Sequence, residues 1–310
     1  MISNPERTWL LSTMGWVDHD ALWRYDVATG ATETIPFGTG ARYASLHDAG
    51  GDRFVVAHHF DGRRLELTVR RHADPSAVLS RAWIDGNRDT VEGDEAVWQD
   101  VPRLHASFLS FAPWNDCVLL EVLPAGGRIE VRRLKWYDAS YDKDYQSVCD
   151  VIGFPEVHGA LVSVSRSSRL ILHDLKTGRT KRKIDLGARG GNPRLKLRDA
   201  GREVWASDYD SLVVLRTGDW RIRKRSRLQD SPAGTQQFVG EFAFAPDQPL
   251  CVVARPFSGD VIGVDVRTLE RRGGANLGRE PMDVAVLAGG QIVARDWKTG
   301  DLLRGELAQP

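Results

Sequence analysis

The sequence predicts an all-β chain built from a repeated antiparallel sheet, and three observations carry that expectation. Short hydrophobic runs recur along all 310 residues with a period of about 45, separated by turns rich in Gly, Asp, Asn and Pro. No amphipathic helical stretch exceeds about three turns. The same hairpin is also written three times: Leu22 to Asp26 runs into Val27-Ala28-Thr29-Gly30, Leu170 to Asp174 into Leu175-Lys176-Thr177-Gly178, and Val261 to Asp265 into Val266-Arg267-Thr268-Leu269.

Each hairpin has a local physical reason. An alternating strand ends on an Asp whose carboxylate can accept backbone N–H bonds, Thr follows, and in two copies Gly supplies positive φ before the next strand. A second internal likeness links Val252 to Asp265 (VVARPFSGDVIGVD) with Ile292 to Glu306 (IVARDWKTGDLLRGE), each one strand, a tight turn and the next strand. This repeat and turn pattern resembles that of the WD-repeat-like, YVTN-type and quinoprotein-type β-propellers, and the resemblance spans essentially the whole chain. It implies four-stranded blades and a prior toward binding at the faces or central channel of the ring. It carries over no catalytic residue, because the Gly-His and Trp-Asp dipeptides, the tryptophan docking motifs and the Ser-x-Asp-x-Gly boxes of the better-marked propellers are absent.

Taken in order, inner strands are expected to start near Ala41, His105, Val151, Pro193, Phe238 and Pro281. The long first interval holds a polar, acidic insertion at about 86–104, read as an extended loop after the second blade. With the hairpins of Thr8 to Phe37 and the strands of Pro281 to Leu307, the count is seven blades, with six as the alternative. All of 1–310 is read as one domain. A propeller holds its first and last blades together, so Thr8 to Thr13 is either a strand that completes the last sheet or the second strand of the first.

Formal net charge is zero, which argues against a chain built as a whole to coat nucleic acid or an anionic membrane. Charge is nonetheless segregated: Arg166 to Arg227 holds 18 Lys and Arg against 7 Asp and Glu, whereas Asp85 to Glu156 holds 14 acids against 7 bases. Arg outnumbers Lys 34 to 8, a bias typical of high-GC bacterial genomes and without functional weight. The N-terminus lacks a basic region followed by an apolar stretch, and no run approaches a membrane span. Cys117, Cys149 and Cys251 are odd in number and lack metal spacing, which suits free thiols in a reducing compartment, with cytoplasm the default.

No phosphate-binding Gly-rich loop, His-Glu-x-x-His, Cys-x-x-Cys or Gly-x-Ser-x-Gly is present, and neither metal nor cofactor is expected. A propeller enzyme assembles its site from one residue per blade, so the polar residues near inner-strand starts are the channel candidates: Arg42, Tyr43, Arg103, His105, Arg194, Glu241 and Asp283. His47, His105 and His158 fall near three consecutive inner strands, but at opposite strand ends. His58 and His59, adjacent on one strand, point to opposite faces and cannot easily share an ion with Asp61. Trp9, Trp23, Trp83, Trp136, Trp205 and Trp220 are placed to fill the space between blades.

Two surfaces suggest partner binding. Trp136-Tyr137-Asp138-Ala139-Ser140-Tyr141-Asp142-Lys143-Asp144-Tyr145 puts Trp136, Tyr137, Tyr141 and Tyr145 among acids in a connection between strands. Arg221, Arg223, Arg225 and Arg227 alternate and so are expected on one face of the outer strand of blade five, with Arg179, Lys181 and Lys183 equivalent in blade four. Such charges protect a sheet edge and also suit an anionic partner. The leading reading is a non-catalytic module or scaffold that docks a protein through its faces or basic rim. The alternative is a hydrolase or lyase acting on a sugar or lactone in the channel. Nucleic acid is disfavoured, because no aromatic platform interleaves the arginines.

Overall fold

A computed structural model describes residues 1–3, 8–13, 20–41, 43–48, 52–60, 64–85, 91–93, 104–109, 117–125, 128–137, 148–154, 159–164, 168–174, 177, 179–187, 193–228 and 239–308. The chain packs as two compact units. The first is Met1–Val148 with Pro155–Ala160 and Asp174–Arg179; the second is Cys149–Phe154, Leu161–His173 and Thr180–Pro310.

Among the described residues there are seven sheets, each a meander in which strands adjacent in sequence pair. The first holds β1 (Ile2–Ser3), β2 (Trp9–Thr13), β3 (Ala21–Asp26) and β4 (Thr32–Pro36). The second holds β5 (Tyr43–Asp48), β6 (Arg53–His59), β7 (Arg64–Arg71), β8 (Val78–Asp85) and β9 (Val91–Gly93), and the third β10 (Leu104–Leu109), β11 (Cys117–Ala125) and β12 (Arg128–Tyr137). The fourth holds β13 (Val148–Phe154), β14 (Gly159–Val164), β15 (Arg169–Asp174) and β16 (Thr180–Asp185), and the fifth β17 (Leu195–Arg198), β18 (Glu203–Asp208), β19 (Ser211–Arg216) and β20 (Arg221–Arg227). The sixth holds β21 (Phe242–Phe244), β22 (Leu250–Arg255), β23 (Asp260–Asp265) and β24 (Arg271–Asn276), and the last β25 (Pro281–Val286), β26 (Gln291–Asp296) and β27 (Leu302–Glu306).

The expected strand starts fall within a few residues of these sheets' first strands. Two finer expectations change. The insertion after the second sheet is not loop throughout, because Val91–Gly93 adds a fifth strand whose Val91, Glu92 and Gly93 pair with Ile84, Trp83 and Ala82. A run of acids hides so short a strand from any apolar periodicity. Of the two places open to Thr8 to Thr13, β2 takes the second position of the first sheet, between β1 and β3.

The repeated hairpins form as their side chains dictate. Asp26 Oδ1 accepts from the Thr29 amide at 2.7 Å and hydroxyl at 2.9 Å, and Gly30 follows at φ 70°. Asp174 and Thr177 repeat this at 2.8 and 3.0 Å. Asp265 accepts from the amides of Arg267 and Thr268, but the left-handed position falls to Leu269 at φ 62°, where a Cβ makes the turn costlier. A fourth copy, Asp296 with Lys298, Thr299 and Gly300, closes the β26–β27 turn.

Apolar residues fill the spaces between consecutive sheets. In the first unit Leu11, Leu22, Phe54 and Val56 join sheets one and two. In the second, Phe154, Leu172, Leu195 and Leu215 join sheets four and five, Trp205, Val214, Phe242 and Val253 join five and six, and Val252, Val261, Val284 and Ile292 join six and seven. Trp205 is fully buried between sheets five and six, as the tryptophan reading expects. Trp220 is not a strand residue: it sits in the β19–β20 turn at φ 56° and meets Phe154 edge-on at 5.1 Å. Cys251 is a free, buried thiol whose pKa burial pushes well up, so it is inert.

Candidate functional site

One face of the short first strand of sheet five is basic. Arg194, Lys196 and Arg198 recur with the period of two that puts alternate residues on one side of a strand, while Leu195 turns to the opposite core. Arg194 and Lys196 meet Glu241, the residue just before β21, at 3.4 Å (Nε–Oε1) and 3.5 Å (Nζ–Oε2). Arg198 instead pairs with Glu203 at 3.3 Å beside the rings of Trp205 and Phe244.

Backbone packing sets Glu241 in place. Its amide donates to the Met282 carbonyl at 2.7 Å, tying the entry to sheet six to β25, and the amide of Gly240 donates to Ala254 at 2.9 Å. Met282 is followed by Asp283, which Arg295 of β26 holds through Nε at 2.8 Å and through Nη2. From β13, Asp150 accepts the Leu195 amide at 2.8 Å. Four consecutive sheets of the second unit thus bring together Asp150, Arg194, Lys196, Glu241, Asp283 and Arg295.

The electrostatics of this group are mutual. Burial pushes the Asp150 carboxyl up to about 6, the Glu241 charge adds to the push, and Arg194, the Leu195 amide and Lys196 oppose it. Burial works against the charge on Lys196, but Glu241 and Asp150 outweigh it and raise its pKa. Burial would likewise raise Asp283, yet the Arg295 guanidinium, helped by Arg194, holds that carboxyl far below the ordinary range. Two carboxyls with pKa values driven apart in one cluster take different protonation states once the pH falls to about 6 or below.

Asp150 also shapes stability. Its folded pKa is raised, so the folded state holds this proton more tightly than the unfolded chain does. The group's contribution therefore falls as pH rises from about 4 through about 6, and is lowest above that. Asp150→Asn, which can still accept from Leu195, is expected to exceed the wild type by about 1–3 kcal/mol at about pH 7.5 and by about a third of that difference at about pH 4.5. Urea midpoints at the two pH values check this, and an equal difference at both would contradict it.

Of the seven channel candidates, the structure joins Arg194, Glu241 and Asp283. Tyr43 and His105 lie on β5 and β10, paired across the ladder with His59 and Glu121. Arg42 and Arg103 lie outside the described residues. The sequence reading missed Asp150, Lys196 and Arg295. Lys196 was recoverable, because it follows Arg194 by two on the same face. Arg295 was partly so, because it closes the Val-Ala-Arg shared with Arg255 of the internal repeat. Among the histidines, His58 is buried with Nε2 3.3 Å from Thr68 Oγ1 and its ring edge-on to Phe37. Burial pushes His47 and His58 down to about 4, aided at His58 by Arg70, so both are neutral near pH 7. His158 and Asp61 lie outside the described residues, and among those described no group of His, Cys, Asp and Glu is placed to hold a metal.

The basic edge is rearranged relative to expectation. β20 is the outermost strand of its sheet and Arg221 to Arg225 and Arg227 are exposed, but the four arginines do not share a face. A bulge lies between Val214 and Leu215, which face Lys224 and Ile222, so Arg223 is the extra residue. Arg225 then points to sheet four, donating to the Leu186 carbonyl, while Lys224 and Ser226 donate to the carbonyls of Arg267 and Leu269 of sheet six. Arg221 falls on the side of Lys224. β16 carries the same break at Lys181, with Lys183 opposite Ile171 and Arg182 opposite Leu172, while Arg179 lies just before the strand. Equivalent bulges sit early in β8 and β24. Where both faces of an edge strand are charged, polar–apolar alternation carries no register, and a bulge leaves no mark in the sequence. Trp136 and Tyr137 end β12, opposite Val118 and Cys117, instead of lying in a connection; Tyr141 and Tyr145 are outside the described residues.

No protein-family model and no curated protein matches this chain. Solved structures do match. The β-propeller domain of Cps50 (Swd1) from Myceliophteria thermophila is similar with a TM-score of 0.63 at 10% identity, over 99% of this chain and 95% of that one. The periplasmic gluconolactonase PpgL of Pseudomonas aeruginosa is similar with 0.61 at 15% identity, over 97% of both. A chain of the mitotic checkpoint complex follows with 0.59 at 8%, over 94% of this chain and 85% of that one. At these identities the likeness shows the fold alone: the chain is a β-propeller.

Proposed function

We propose that this propeller is a non-catalytic binding module that docks an acidic protein surface through the edges of sheets four and five. The observation that carries the reading is the exposure of Lys181, Arg182 and Lys183 on one outer edge and of Arg221, Arg223 and Arg227 on the next. Some of these charges are partly spent on neighbours, as in Arg223–Asp219 at 3.3 Å and Arg227–Asp210 at 3.1 Å. Exposed pairs of this kind exchange readily for a partner's carboxylates, because each contributes at most about 1 kcal/mol. A protein surface fits better than nucleic acid, because among the described residues no exposed aromatic row accompanies the cations.

The test is quantitative capture of a partner from native lysate by tagged full-length protein. Lys183→Glu, Arg221→Glu and Arg227→Glu combined leave every inter-sheet contact above intact. The triple variant is expected to lose at least about tenfold in capture, with the melting temperature within a few degrees of wild type. Undiminished capture would remove the edge from the reading. The second reading, a hydrolase or lyase using the first-strand cluster, is favoured by one observation: Lys196 and Arg194 meet Glu241 beside Asp150, whose carboxyl burial pushes up to about 6.

A further inference from the structure

β20 turns a row of backbone groups to the outside of its sheet. The Leu228 amide donates to the Asp210 carbonyl at 2.7 Å, which fixes where bonded and non-bonded pairs alternate along the β19–β20 ladder. Leu212–Ser226 and Val214–Lys224 therefore exchange backbone bonds, whereas Arg225 and Arg227, opposite Val213 and Ser211, point their N–H and C=O groups outward. β20 is the last strand of its sheet, and among the described residues no strand pairs with that outer side. Arg225 and Arg227 are exposed, as are Ile222 to Lys224 before them. Such an edge is a template for a further strand.

Another sheet of the same chain shows what an edge of this design accepts. The outer strand β8 of sheet two carries the same early bulge, with Ser80 and Val78 opposite Val69 and Arg70, so Leu79 is the extra residue. Beyond it, Ala82, Trp83 and Ile84 pair antiparallel with Gly93, Glu92 and Val91 of β9. That fifth strand comes from an acidic segment, in which Asp89, Asp94 and Glu95 accompany Glu92. Counted from the extra residue of each strand, Ala82, Trp83 and Ile84 correspond to Ser226, Arg227 and Leu228. Arg227 thus holds the place of Trp83, across from which sheet two sets an acid. The bulge of β20 lies before this stretch and leaves Lys224–Arg227 regular.

Charge decides which strand can use the position. The cations of β20 repel a basic strand and give a neutral one nothing for the hydration they lose, whereas an acid directly opposite a cation is a favourable cross-strand pair. The Arg225 guanidinium donates to the Leu186 carbonyl, which returns no charge, and Arg227 meets Asp210 while keeping 69% of its side chain exposed. We propose, on the premise that this edge docks an acidic partner, that the partner enters as an extended strand with acids two residues apart, opposite Arg225 and Arg227, and becomes the fifth strand of sheet five. The backbone bonds supply affinity and the acid spacing supplies register.

The probe is a labelled, capped Thr-Val-Glu-Val-Glu-Val-Thr peptide, titrated into full-length protein at low salt and followed by fluorescence anisotropy, with amide hydrogen exchange on the complex. Its control carries N-methyl groups on both glutamates, which keep the charges and remove the backbone donors that would meet β20. The unmodified peptide is expected to saturate one site per chain, to bind at least about tenfold more tightly than the control, and to slow exchange at the Arg225 and Arg227 amides. Arg227→Glu is expected to weaken it at least about tenfold. Equal binding of the two peptides would overturn strand addition and leave an acidic partner docking through side chains alone. No saturable binding of either peptide, or saturable binding with unchanged exchange at both amides, would overturn it as well. In each of these cases the capture assay with the triple variant still decides separately whether the edge docks a partner.

Discussion

Gly240→Ala is expected to lower the unfolding free energy by about 2–4 kcal/mol, although the position is not in a left-handed conformation and the new methyl is small. The reason is close approach. A Cβ on Gly240 would stand 2.5 Å from the Met282 carbonyl oxygen and 3.2–3.3 Å from its carbon atoms. Those atoms are backbone, so no rotamer relieves the clash. The segment entering sheet six must instead retreat from β25, stretching the Glu241–Met282 hydrogen bond of 2.7 Å and the Gly240–Ala254 bond of 2.9 Å. Glu241 would move with it, away from Arg194 and Lys196. Gly218→Ala is the control: its Cβ would meet nothing within 4 Å, and a change within about 0.5 kcal/mol is expected. Urea unfolding of both variants at one pH measures the contrast, and equal small effects would show that the two strands are not locked at Met282.

The contrast between the two glycines also marks where the sequence was legible. Period, hairpins and strand starts were readable because they rest on local chemistry. Asp26 with Thr29 and Asp174 with Thr177 form the bonds their residue types allow, and Phe242 and Trp205 fill the inter-sheet space that strand alternation assigns them. What escaped was set by contact between distant segments. The role of Gly240 depends on Met282, 42 residues on, and the raised Asp150 depends on its burial and on the charge of Glu241, 91 residues on. Arg194, Glu241 and Asp283 could be listed as strand-start residues, but nothing linear distinguished them from Arg42 or Arg103. The bulges at Lys181 and Arg223 were invisible because charged residues on both sides of an edge strand remove the pattern that would reveal a register shift.

Asp283→Asn carries the largest expected effect on stability, about 3–5 kcal/mol, because it leaves Arg295 buried and unpaired. The Arg295 side chain is 8% exposed, and Asp283 supplies the acceptor for both its Nε and Nη2. Asparagine fits the volume and can accept one bond, but it returns no charge, and the guanidinium cannot escape by deprotonating. The pH dependence has a defined sign. The carboxyl is held far below the ordinary range in the fold, so its contribution is fully present above the unfolded value of about 4 and is lost as acid approaches its depressed pKa. The stability gap between wild type and Asp283→Asn should therefore narrow as pH falls below about 4. Asp283→Leu with Arg295→Met separates two explanations. If the loss comes from a stranded charge, the double variant should recover most of it, since an apolar pair of similar volume is often as stable as a buried ion pair. Additive losses would instead mean that each side chain is held by contacts other than its partner.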